Sequence, residues 1–217
     1  KPFVKGEFFD QSKVGQYSID MASTGYFENA IARPNAEKAE NHQVPIEVIL
    51  KPKPKDLYKL GVGFSTDTRA RLSADWDRPW VNLDGHSLGA SMYLSDPRKS
   101  LSLDYRIPKA NPLNDFLNYR LAFKQTQENE TISDASSFEI LRQWGATSEQ
   151  AWNKIAFLNV EHESFIQGSQ EEQTTILVMP GIAFNRTRKV GDIFVDWGDQ
   201  QMISIQGASK QILSDID

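Results

Sequence analysis

Residues 100–108 read "SLSLDYRIP" and residues 116–126 read "FLNYRLAFKQT". In the first, Leu101, Leu103, Tyr105 and Ile107 fall at alternate positions, with Ser102, Asp104 and Arg106 between them. The second sets Leu117, Tyr119, Leu121 and Phe123 against Asn118, Arg120 and Lys124. An extended strand sends successive side chains to opposite faces, so this period means two strands, each with one apolar and one polar face. The polar link "KANPLN" between them is short enough to join antiparallel neighbours.

The same period continues outward in both directions. From Leu57 onward it predicts about nine strands: Leu57–Ser65, Arg69–Asp77, His86–Leu94, Ser100–Ile107, Phe116–Gln127, Ala135–Trp144, Trp152–His162, Thr174–Arg186 and Gln200–Leu213. Most span roughly 8–13 residues, more than soluble strands use and close to what a tilted strand needs to cross a bilayer. Consecutive strands with polar links read as an antiparallel meander.

Two architectures fit a long meander. A soluble sandwich or lipocalin-like barrel points its apolar face inward. An outer-membrane barrel turns that face to lipid, lines a wet lumen with the polar one, and girds its strand ends with aromatic residues. Trp76, Trp80, Trp144, Trp152 and Trp197 all fall near predicted strand ends, as do Tyr58 and Phe116. Asp75, Asp104, Arg106, Arg120 and Glu139 recur mid-strand on the polar side, more charge than a soluble core buries cheaply. The pattern favours the membrane barrel.

Composition narrows the function classes. The 217 residues suit one large β domain or two smaller ones. With 24 Lys and Arg against 29 Asp and Glu, the chain lacks a nucleic-acid footprint. The absence of cysteine removes disulfide frameworks, thiolate zinc sites and cysteine nucleophiles. No apolar run is long enough for a transmembrane helix. The chain opens at Lys1 with no initiator Met and no signal h-region, so the expectation is of a processed chain or one cut from something longer.

Residues 1–54 are organised differently. Asp10 is a helix-cap candidate, followed by a helical stripe of Val14, Tyr17, Ile19 and Met21 and a stop at Gly25. Ala30–Arg33 then alternates towards a turn at Pro34–Asn35, and "VPIEVILKPKP" alternates again, with Val44, Ile46 and Val48 set against Glu47. The order is helix, strand, strand, closed by a basic, proline-stiffened linker at Lys51–Lys55.

Several short motifs invite chemistry and fail its geometry. Asp84, His86 and Ser87 are a triad only in name, since neighbours on a strand point apart. His162 shares its strand face with neither Glu161 nor Glu163, which leaves a lumen or loop polar residue rather than a metal ligand. "GVGFS" lacks the third glycine and following helix of a dinucleotide loop. "NET" at Asn129–Thr131 matches a glycosylation triplet of little weight. Arg186–Lys189 is a basic cluster at a strand end, fitting a solvated turn or anionic headgroups alike. No catalytic, cofactor or metal signal survives, and the expectation is of a non-enzyme.

Four stretches carry a family likeness: "STGYFENAIARP", "VPIEVILKPK", "YKLGVGFSTDTRARLSADWDRPWVNLDGHSL" and "TILVMPGIAFNRTRKVGDIFVDWGDQQMISIQGA". In content and order they resemble the TamA family, within the Omp85 superfamily of outer-membrane assembly proteins. The resemblance implies periplasmic POTRA domains followed by a sixteen-stranded barrel. It implies that residues 1–54 are the C-terminal part of a POTRA domain and residues 55–217 the N-terminal portion of the barrel. The remaining strands and the superfamily's "RG" loop are not in this sequence. On that footing the first strand is a lateral gate, centred on Leu60, Gly61, Val62, Gly63, Phe64 and Ser65. Glycines there let another backbone approach closely, although easing barrel curvature would also account for them. The implied partners are a TamB-like inner-membrane-anchored subunit, unfolded outer-membrane or autotransporter clients, and the lipid bilayer. The implied location is the bacterial outer membrane, with the POTRA segment in the periplasm. Two other functions stay open: a passive porin or transporter, which the lack of long loops disfavours, and a soluble β-rich binding domain.

Overall fold

The computed structural model describes residues 3–145, 151–168, 170–191, 195–210 and 214–215. The expected link Gly145–Gln150 and the far end of the expected last strand, up to Leu213, reach outside these residues. The chain divides into two compact units, residues 1–55 and 56–217.

In the first unit, helix α1 (Gln11–Ser23) starts where the Asp10 carboxylate accepts the Ser12 backbone N–H at 2.9 Å. Such a cap satisfies one of the donors that a helix start leaves free. Gly25, at φ +85°, then takes the chain out in the left-handed conformation that glycine adopts without strain. Strands β1 (Phe27–Pro34) and β2 (Ile46–Pro52) form an antiparallel ribbon against which α1 packs. Val14 and Ala30 are buried, and Ser18 Oγ accepts the Ala32 N–H at 2.8 Å. Ile19 corrects the expected stripe: it is 59% exposed. Five residues beyond Val14, it sits about 140° around the helix, whereas Tyr17 and Met21 keep to the packing side.

The second unit is one antiparallel sheet of nine strands in strict sequence order. They are β3 (Leu57–Ser65), β4 (Arg69–Arg78), β5 (Ser87–Ser95), β6 (Arg98–Pro108), β7 (Phe116–Glu128), β8 (Thr131–Gly145), β9 (Asn153–Gln167), β10 (Gln173–Gly191) and β11 (Val195–Gln206). The fold is mainly β, a meander, as the alternation predicts. Four strands depart from expectation by four residues or more: β8 opens at Thr131 rather than Ala135, and β9 runs past His162 to Gln167. β10 does not stop at Arg186 but runs to Gly191, and β11 spans Val195–Gln206 rather than Gln200–Leu213.

Register carries one row of side chains across eight strands: Leu60, Ala74, Met92, Leu101, Phe123, Ser136, His162 and Ile176. Parity then assigns every residue to one of two faces. Leu101 and Leu103 are exposed, while Ser102 and Asp104 between them are partly covered. That is the reverse of a water-soluble sheet, where burial follows apolarity. Asp75, Asp104, Arg106, Arg120 and Glu139 all lie on the polar face, where Arg120 sits opposite both Asp104 and Glu139 and pairs with Asp104 at 2.8 Å.

Candidate functional site

Leu60–Ser65 lies in β3, at one edge of the sheet. Among the described residues β3 pairs with β4 alone, so its other edge offers unpaired backbone groups to a further strand. Leu60, Val62 and Phe64 are 80%, 86% and 77% exposed on the apolar face. Gly61 and Gly63 lie on the polar face, opposite Ser73 and Arg71. A Cβ at Gly61 would come within 2.6 Å of Ser73 Oγ, and one at Gly63 within 2.5 Å of Arg71 Nε. The glycines therefore make room for side chains of β4, both of which can swing away.

The tryptophans converge on one end of the sheet. Trp76 ends β4 opposite Tyr58, Trp144 ends β8 opposite Lys154, and Trp197 opens β11 opposite Val190. Trp80 lies in the β4–β5 loop and Trp152 directly before β9, both at that same end. All five thus stand where β3 begins. Aromatic rings with one polar atom suit the boundary between hydrocarbon and water.

Each of four rings carries an arginine, a feature the sequence reading missed. The guanidinium of Arg78 lies 5.2 Å from Trp76, Arg142 5.9 Å from Trp144, Arg186 4.6 Å from Trp152, and Arg188 5.3 Å from Trp197. Three of these cations have carboxylate partners: Asp56 at 2.7 Å from Arg78, Asp115 at 2.5 Å from Arg142, and Asp199 at 2.7 Å from Arg188. Asp56 also accepts the Trp76 indole N–H at 2.9 Å. "WDR" and "RQW" betray the first two pairs, because residues two apart share a strand face. The pair Trp152–Arg186 needs the β9–β10 register and was not legible.

The rejected motifs land apart. His86 Nδ1 lies 2.6 Å from Tyr105 Oη, edge-on to its ring, and Ser87 stands opposite Arg106 on the other face. No group of three or more carboxylates and histidines that could hold a metal occurs among the described residues. His162 corrects the lumen expectation: it lies in the row of Leu101 and Phe123, on the apolar face, at the end away from the tryptophans. The basic cluster Arg186–Lys189 is not a turn but the last stretch of β10, which ends at Gly191.

No family model matches the chain. Among solved structures, the chain is similar to the crystal structure of BamA from Haemophilus ducreyi lacking POTRA domains 1–3, with a TM-score of 0.63 and 14% identity. The match covers 98% of this chain and 44% of that one, so the chain spans less than half the length of the structure it matches. The nine-stranded meander therefore has the fold of that part of BamA. No helix among the described residues is long and apolar enough to cross a membrane, which leaves crossing by strands open.

Proposed function

We propose that the chain is part of an outer-membrane assembly factor of the Omp85 superfamily, of TamA type, that inserts or translocates client proteins. One observation carries the reading: an edge strand, β3, with an exposed apolar face and, among the described residues, one unpaired side, in a sheet that exposes leucine, isoleucine and phenylalanine on that same face. An incoming strand can add to such an edge by main-chain hydrogen bonds, whatever its own side chains. In lipid every unpaired backbone group is costly, so docking there relieves both partners at once. The factor works by templating, without bond chemistry or a cofactor of its own. The α1–β1–β2 unit serves as a POTRA element in the periplasm and receives clients or a TamB-like subunit. The tryptophan-bearing end of the sheet is then the periplasmic rim, and the turns at Thr66–Thr68 and Asn129–Glu130 face outside.

A disulfide between β3 and the last strand of the full-length barrel tests this. Locking that seam is expected to abolish insertion of a radiolabelled autotransporter barrel into proteoliposomes, and reduction to restore it. A passive pore passes solute through its lumen and is indifferent to the lock. Unchanged insertion in the verified locked state would end the gate reading.

A further inference from the structure

Three cations cluster on the apolar face at the tryptophan end of β9, β10 and β11, and among the described residues only Arg188 forms an ion pair. Lys154 stands opposite Phe184 and Trp144, two positions along from Trp152, and is exposed. Arg186 follows Phe184 on the same face and stacks on Trp152. Its Nε and Nη2 donate to the neutral Gln201 side-chain oxygen at 3.2 and 2.9 Å, leaving Nη1 without a hydrogen bond among the described residues. Arg188, one step further out, is held by Asp199. Elsewhere at this end Arg78 and Arg142 have their own aspartates, so among the described residues it is Lys154 and Arg186 that lack an ion pair.

Directly inward on the same face, Ile182 is exposed and pairs with the exposed Ile205, and Phe184 pairs with the exposed Ile203. The surface is therefore amphipathic in the order a lipid is: an apolar strip, then two cations without an ion pair among the described residues, flanked by indole rings. We infer that this patch holds the headgroup of an anionic phospholipid, its phosphate between Lys154 and Arg186 and its chains along Ile182, Phe184, Ile203 and Ile205. The fit is to charge and to depth together: a soluble phosphate would use the cations and leave the strip bare. Gln201, whose oxygen accepts from Arg186 and whose Nε2 donates to Asp199 at 2.8 Å, holds Arg186 in place at this level. This inference rests on the membrane-barrel reading.

The test reconstitutes the full-length protein in neutral phosphatidylcholine vesicles. These carry a small fraction of tail-brominated lipid, either phosphatidylglycerol or phosphatidylcholine, and tryptophan quenching is read. Each cation near a bilayer surface is worth roughly a fivefold enrichment of anionic lipid. Brominated phosphatidylglycerol is therefore expected to quench at a severalfold lower fraction than brominated phosphatidylcholine. The double variant Lys154→Gln, Arg186→Gln is expected to erase that preference while keeping the quenching by brominated phosphatidylcholine. Bulk inorganic phosphate is expected not to displace the lipid. Equal quenching by both lipids in the unaltered protein, a preference surviving in the double variant, or displacement by free phosphate would each overturn the site. Absence of quenching by either lipid would instead overturn the barrel reading beneath it.

Discussion

Leu103 and Asp104 are neighbours with opposite surroundings. Leu103 is exposed on the apolar face, and Asp104 on the other accepts from Arg120 Nε at 2.8 Å and Asn118 Nδ2 at 3.2 Å. If the exposed face meets lipid, Leu103→Arg near the midplane costs roughly 2–4 kcal/mol. Asp104→Asn removes one half-exposed ion pair, worth less than about 1 kcal/mol. A folding titration in bilayers separates the two, and equal effects would point to a soluble core. This contrast was legible at once, because alternation fixes the relative face of adjacent residues whatever the register. His162 was not. It has the parity of Leu158 and Val160, yet its polarity argued for the lumen. The physical reason is length: β9 has 15 residues, more than a bilayer crossing would need, so the end away from the tryptophans can carry polar side chains on the apolar face too. Ser136, opposite His162 on β8, follows the same logic.

Among elements, β3 was read to the residue, because Asp56 and the turn Thr66–Thr68 punctuate it on both sides. For β10 the pattern alone predicts an end at Arg186, since "RTRK" looks like solvent-exposed turn. What carries the strand on is the partner strand: Gln201, Asp199 and Trp197 stand opposite Arg186, Arg188 and Val190, Gln201 accepting from Arg186 and Asp199 pairing with Arg188. A single-sequence pattern does not contain that register. The β1–β2 ribbon offers a pH test of similar local chemistry. Glu47 takes the Asn35 amide at 2.6 Å, with Arg33 at 3.3 Å and Lys38 at 3.4 Å. These hold its carboxyl below the ordinary carboxylate range, the Asn35 hydrogen bond first and Lys38 next. A depressed carboxyl stabilises the fold above its unfolded pKa, and that contribution fades as pH falls through the folded value. The turn 35–45 is therefore expected to loosen under acid, with the Asn35 side-chain amide resonance moving as it does. Glu47→Gln should flatten that titration; an amide shift that ignores acid in the unaltered protein would refute the link.

For the whole molecule, what matters is edges and faces rather than a core. The buried apolar residues among those described are Val14, Ala30 and Ala183, whereas Phe64, Leu101, Phe123, Phe138, Ile182 and Ile203 stand exposed. Within the sheet, β3 pairs with β4 alone and β11 with β10 alone among the described residues. β11 covers β10 only from Gly181 onward; below that, Ser214 and Asp215 bond to Val178 and Ile176 of β10 at 2.8 Å. That cover is narrow, and the edges of β3 and β11 stay available. Open edges template further pairing, and an apolar patch of this extent drives association in water. A polypeptide of these 217 residues is therefore expected to self-associate in buffer and to become monodisperse in detergent. Lipid-like molecules then cover the apolar face, leaving the edges to pair with one another or with a second copy. Multi-angle light scattering with and without detergent reads this directly. A clean detergent-free monomer with a cooperative melt would contradict the reading, because it requires the exposed leucines and phenylalanines of β3–β8 to have found a core within one chain.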